Sequence, residues 1–157
     1  MKTKYLIGLL LAFGILFVSC KEEASLKEYM TDSWQTTYLK IEMPTYQKSD
    51  SISIYEDIFE GSPPERRAQS SYKSDGTFIA WSLDKKGKRF GDSPGKWNIK
   101  GDSLHIEYFY GGRDVKVAYY IEKTAEGFKG TSKYDWDEDG ANDDLLIMKT
   151  KRIYLNE

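Results

Sequence analysis

From Ser33 onward the chain is built of short runs of Tyr, Ile, Val, Phe and Trp, each closed by a turn of Gly, Asp, Ser or Asn. This rhythm is the strongest constraint on the fold, because helices need longer periodic stretches than such punctuation allows. Runs near 33–42, 68–73, 77–83, 95–100, 103–110, 115–122, 127–134 and 145–153 predict about eight strands at hairpin spacing. "SDG" at Ser74–Gly76 and "KGD" at Lys100–Asp102 predict tight hairpins, since Gly and Asp tolerate the backbone such turns need. Gly111–Asp114 and Thr124–Gly127 predict two more turns. Within the runs, Leu104, Ile106, Tyr108 and Tyr110 alternate with His105, Glu107 and Phe109. Val115, Val117, Tyr119 and Ile121 alternate with polar or small residues in the same way. The expected fold is all-β: an antiparallel up-and-down meander of about eight strands closing into a barrel, which leaves no sticky edge.

The N-terminus has a different character. Lys2 and Lys4 precede an uncharged stretch from Tyr5 to Val18, the pattern of a secretory signal too short to span a bilayer. It ends in "LFVSC", which resembles the lipobox of bacterial lipoproteins, with Ser19 as the small residue before Cys20. That resemblance implies cleavage before Cys20 and acylation, palmitate included, of its thiol and new terminus. Cys20 is the one cysteine of the chain, so no disulfide competes for it. Several acyl chains make a stable membrane anchor. Lys21, Glu22 and Glu23 resemble the export signal that carries some lipoproteins to the outer face of the bacterial outer membrane. The expected organisation is a signal peptide at 1–19, a lipidated tether at 20–32 and one barrel domain at 33–157. Of 23 basic residues, Lys2 and Lys4 fall in the leader, leaving 21 against 25 acidic ones, a net charge of −4. With no basic stripe beyond the turn "DKKGKR", nucleic acid is not an expected partner.

Two segments interrupt the meander. Glu22 to Met30 reads either as a short helix or as tether. Pro44 to Gln69 is too long for a hairpin and holds three of the four prolines; its "SISIY" reads as an extra strand and the remainder as loop.

Trp34 at the first strand, "SYKSDGTFIAW" at 71–81 and "GKWNIKGDSLHI" at 95–106 together resemble the lipocalin-like domains of bacterial lipoproteins, calycin-type β-barrels. Where lipocalins carry Gly-x-Trp, this chain has Asp32-Ser33-Trp34, and a Gly-x-Trp stands later as Gly95-Lys96-Trp97. The resemblance implies a barrel with one open end, over which Pro44 to Gln69 lies as a lid bordering any cavity. It implies binding and names no ligand.

"YDWDEDGANDDL" concentrates the acidic charge: six carboxylates stand between Asp135 and Asp144. Asp135, Asp137 and Asp139 alternate, Gly140 permits a sharp turn and Asp143 follows, a spacing that suits a hard, oxygen-seeking cation. The candidate calcium ligands are Asp135, Asp137, Asp139, the carbonyl of Ala141, Asp143 and Asp144. Leu146 stands where an EF-hand has its bidentate Glu, and both flanks read as strands, so a helix–loop–helix is not expected. Two readings stand: a structural calcium clamp across a hairpin, or a solvated acidic turn.

His105, the one histidine, shares a strand face with Glu107 and reads as surface. No hydrolase elbow, phosphate-binding loop or histidine–acid metal motif occurs, so no enzyme is expected. Of 12 Tyr and 7 Phe, Tyr5, Phe13 and Phe17 fall in the leader, leaving eleven Tyr and five Phe beside four Trp, enough both for a core and for an apolar pocket. Trp34, Phe78, Trp97, Tyr108 and Tyr119 are the candidate liners; Arg66 and Arg67 are candidates to pair with an anionic head group. The chain is thus expected to be a lipid-anchored envelope protein whose barrel binds a small apolar or amphipathic molecule. The alternative is a non-catalytic module, an inhibitor, immunity protein or surface-complex component, that binds another protein.

Overall fold

The computed structural model describes residues 25–48, 50–59 and 66–155. The expected leader, Cys20 and the Lys21–Glu23 signal fall outside them. Nine strands follow one another: β1 (Ser33–Met43), β2 (Ser53–Ile58), β3 (Arg66–Tyr72), β4 (Thr77–Asp84), β5 (Arg89–Lys100), β6 (Ser103–Tyr110), β7 (Arg113–Lys123), β8 (Phe128–Tyr134) and β9 (Asp144–Ile153). All pair antiparallel, and β9 returns to β1 along Ser33–Glu42, which closes eight strands into a barrel. β2 is the ninth strand and lies outside that circuit. The expected meander is the fold, and the "SISIY" segment contributes its extra strand. Among the described residues, helix is confined to 25–30 and the short 3-10 turn Tyr46–Lys48.

Alternation fixes which side chains fill the barrel. Val115, Val117, Tyr119 and Ile121 of β7 are buried while Lys116, Ala118, Tyr120 and Glu122 are exposed, and β6 buries Leu104 and Ile106. The turns are set by glycines with positive φ at Gly76, Gly101, Gly111 and Gly112, in the hairpins the sequence predicts.

The antiparallel register sorts the connections to two ends. At one, which we term the base, lie the β3–β4, β5–β6 and β7–β8 turns and residues 25–30. Leu26 and Met30 are buried there, the Tyr29 hydroxyl donates to the Gly127 carbonyl, and Trp34 Nε1 donates to the Met30 carbonyl at 3.1 Å. Trp34 is fully buried, edge-on to Phe128 at 5.1 Å, with the Arg152 guanidinium 4.9 Å from its ring. Residues 25–30, which the sequence left open between short helix and tether, are helical and pack as the plug of the base. The other end, the mouth, gathers the β1–β2 connection, the β4–β5 and β6–β7 turns and the acidic β8–β9 loop.

β1 changes neighbours partway up. Ser33–Gln35 pair with Ser71–Gln69 of β3, whereas Tyr38–Met43 pair with β2. Between them the ladder to β9 carries a bulge at Thr36/Tyr38. A bulge bends and overtwists its strand, and here it turns β1 away from β3. The upper half of β3, Arg66 to Ala68, consequently pairs only with β4, and the barrel has a seam at the mouth.

Candidate functional site

A cavity of about 210 Å³ occupies the upper barrel behind this seam. Its floor and walls are aromatic: Tyr72, Phe78, Tyr108 and Tyr119, with Ala68 and Ala80 leaving the space open. Phe78 stands 5.0 Å from Tyr72 and 5.5 Å from Tyr108, centroid to centroid. Arg66, Ser82, Gly91 and Tyr110, near strand ends on the mouth side, bring the cavity to that end, and Phe59 and Thr36 border it at the seam.

Burial pushes the phenols of Tyr72, Tyr108 and Tyr119 well up, that of Tyr108 to about 12. Each neighbouring tyrosine raises the next further, because a phenolate beside another is unfavourable. All three stay neutral hydroxyls at physiological pH. The pocket thus combines apolar ring faces with a few uncharged donors and acceptors, the usual composition of a small-molecule site. Its volume is below the roughly 300–1,000 Å³ of sites for drug-sized ligands. It suits a small molecule or one apolar segment of a longer one.

Of the residues expected to line a pocket, Phe78, Tyr108, Tyr119 and Arg66 border the cavity. Trp34 and Trp97 do not: they are buried in the core nearer the base, where Trp97 packs edge-on against Tyr72 at 5.4 Å and donates through Nε1 to the Lys73 carbonyl. Their strand positions put them close to the plugged end, so their rings fill it. Arg66 Nη2 meets the Tyr55 hydroxyl of β2 at 3.2 Å, a side-chain bridge across the seam. Arg67 alternates to the other face and lies by Gly87 of the β4–β5 turn. The lid expected from Pro44 to Gln69 is in part a strand: Ser53–Ile58 extends β1 sideways instead of folding over the mouth.

Tyr72, Trp81 and Phe59 also border the cavity and were not anticipated. Trp81 Nε1 donates to Gln69 Oε1 at 3.0 Å, Gln69 donates to Gln35 at 3.0 Å, and the Arg89 guanidinium caps the Trp81 ring at 4.2 Å. Arg89 is held in turn by a bidentate pair with Asp92, which keeps that carboxyl below its usual range. Trp81 and Phe78 are three apart on one strand, and period-two alternation offers no reason to place both at one pocket. Opposite Trp81 the β4–β5 register shifts, with two residues of β5 facing one of β4 and Gly91 at φ +68°.

The acidic loop sits at the same end. Asp135 accepts from the amides of Asp139 and Gly140, Asp139 accepts from Ala141, and Asp144 Oδ2 accepts from Trp136 and Asp137 at 2.6 and 3.1 Å. Arg113 ties the loop to the β6–β7 turn, donating to the Asp135 carbonyl at 2.8 Å and pairing with Glu138 at 3.2 Å. One carboxylate oxygen each from Asp135, Asp137 and Asp144 falls within 4.8 Å of the others. Asp139 turns elsewhere, accepting from the Thr45 hydroxyl of the β1–β2 connection and from the Ala141 amide. Of the six expected ligands, Asp135, Asp137 and Asp144 form the cluster, and Asp139 of the i, i+2, i+4 ladder does not join it. The β8–β9 register, with Asp144 opposite Tyr134, brings Asp144 in from the partner strand instead.

His105 pairs across to Asn98 and Ala118 on the outer face, with Glu107 two residues on. Comparison of the chain with protein-family models, with curated proteins and with solved structures finds no match.

Proposed function

We propose that the chain is an envelope lipoprotein, anchored through acylated Cys20, whose lipocalin-like barrel binds a small apolar or amphipathic molecule. The cavity ringed by Tyr72, Phe78, Tyr108 and Tyr119 carries this reading. The apolar part of the ligand lies among those rings, and Arg66 at the rim pairs with a polar or anionic head. The test is displacement of a fluorescent medium-chain fatty acid from the intact chain in mild detergent, beside Ala80→Phe and Arg66→Ala. Saturable binding at one probe per chain is expected, weakened more than about tenfold by the ring that Ala80→Phe places in the cavity. Arg66→Ala should weaken an anionic probe and leave its neutral ester unaffected. Absence of saturable binding, or full binding by a folded Ala80→Phe variant, would refute the proposal.

One observation favours a second reading, a protein-interaction module. Among the described residues no strand pairs with the outer edge of β2, and Ile54 and Ile58 on it are 56 and 63% exposed. Exposed apolar edge strands are templates for strand addition by another chain. Ile54→Lys with Ile58→Lys should then abolish capture of a partner by the surface-bound protein while leaving probe binding in the cavity intact.

A further inference from the structure

We propose a calcium site at the mouth of the barrel, formed by Asp135, Asp137 and Asp144 and completed by Asp143. Two independent observations carry it. The first is geometric: three carboxylate oxygens, two from the β8–β9 loop and one from the first residue of β9, converge within 4.8 Å of one another, although like charges at that distance repel unless something positive lies between them. The second is an orphaned atom. Asp144 is fully buried, and its Oδ1 has no hydrogen-bond partner, while its Oδ2 takes the Trp136 and Asp137 amides. Asp137 Oδ2 and Asp143 Oδ1 are likewise enclosed and unpartnered. Buried carboxylate oxygens are nearly always satisfied by donors or by a metal, because leaving them bare costs several kcal/mol each.

The donor set identifies the ion. It is all oxygen and strongly anionic, which selects a hard divalent cation over zinc or copper. Calcium binds oxygens at about 2.3–2.6 Å in flexible geometry, so one ion can serve two oxygens as far apart as any pair here. Magnesium, at about 2.0–2.1 Å in a strict octahedron, spans a shorter distance between opposite ligands and tolerates less irregularity in their directions. Arg113 does not occupy the position, since its guanidinium is committed to the Asp135 carbonyl and to Glu138. The role is structural: the ion welds the β8–β9 loop into one piece, and Asp139–Thr45 and Arg113–Asp135 pass that rigidity to the β1–β2 connection and the β6–β7 turn.

Trp136 lies inside this loop and provides the readout. Terbium, a calcium substitute that luminesces when a nearby indole is excited, is added to the intact chain in mild detergent, and calcium binding is measured in parallel by calorimetry. Expected are sensitised terbium emission, its displacement by calcium but not by equimolar magnesium, and one calcium per chain. Asp137→Asn should weaken calcium by more than about tenfold, and Asp139→Asn by less than about threefold. Trp136→Phe should extinguish the emission and leave the calorimetry unchanged. Asp144→Asn is read only if circular dichroism shows a folded barrel, and Asp137→Asn keeps the test valid if it does not. No calcium heat at millimolar concentration, equal magnesium binding, or wild-type affinity in Asp137→Asn would each overturn the assignment.

Discussion

Tyr72, Tyr108 and Tyr119 share one pocket and one electrostatic situation, and it predicts how the protein responds to alkali. Their phenols ionise near 10 when the chain is unfolded and, held up by burial, well above that when it is folded. Between those values the folded state binds more protons than the unfolded state, so stability falls as pH rises. The loss begins near pH 10 and is absent below it, with a slope approaching about 4 kcal/mol per pH unit for three groups. Urea denaturation at stepped pH, with phenolate absorbance followed in parallel, should show the midpoint dropping above pH 10. Three tyrosines that titrate only with unfolding should accompany that drop. Gly95 makes a second residue-scale prediction. A Cβ there would run into the Glu107 carbonyl and the Tyr108 side chain, because β5 and β6 cross closely at that point. Gly95→Ala should cost roughly 2 kcal/mol or more by overpacking, measured by the same denaturation. At this scale the sequence was legible where alternation decides and silent where the fold decides. Phe78, Tyr108 and Tyr119 follow from period two; Asp144 is legible as one acidic residue among several, but that it and not Asp139 joins Asp135 and Asp137 follows only from which strand pairs with which.

Among the elements, β5 shows why boundaries were harder to read than strands. "RFGDSP" looks like a break in the sequence, yet the strand begins at Arg89. Its register explains the tolerance: β5 pairs with β6 only from Gly95 downward, so Pro94 sits where one side of the strand has no ladder to β6. Gly91 absorbs the bulge. β2 has the converse character, a strand with a single neighbour. Laddered to β1 alone, with only the Arg66–Tyr55 side-chain bridge to β3 and with Ile54, Tyr55 and Ile58 exposed, it has little buried area to protect it. Hydrogen exchange should therefore be faster in residues 53–58 than in β9, which is paired on both sides. Equal protection in the two strands would mean that something else covers β2. Adding calcium should slow exchange in 135–144 and, through Thr45, in the β1–β2 connection.

For the whole molecule, the division into a plugged base and an open mouth outweighs any single contact. The aromatic core from Trp34 to Trp97 fills the lower barrel, and the cavity, the seam and the acidic loop all lie above it. The packed core and the cavity thus lie at different heights of one barrel, and Ala80→Phe is expected to weaken the proposed binding with little effect on stability. The closed all-β meander was readable from hairpin spacing alone. The seam was not, because it depends on β1 leaving β3 for β2 at a bulge whose residues, Thr36 to Tyr38, look like any other strand. The chain enters at the base: Ser25 begins the helical plug, five positions after Cys20. Those few residues reach at most about 17 Å. In the lipoprotein proposed above, acyl chains on Cys20 would moor the base at the bilayer surface. The 11 residues of β1, at about 3.3 Å each and tilted as barrel strands are, would then hold the mouth about 25–30 Å clear of it. A cargo would then be loaded and surrendered on the watery side, in solution or face to face with another protein, and not drawn sideways out of the lipid to which its carrier is tied.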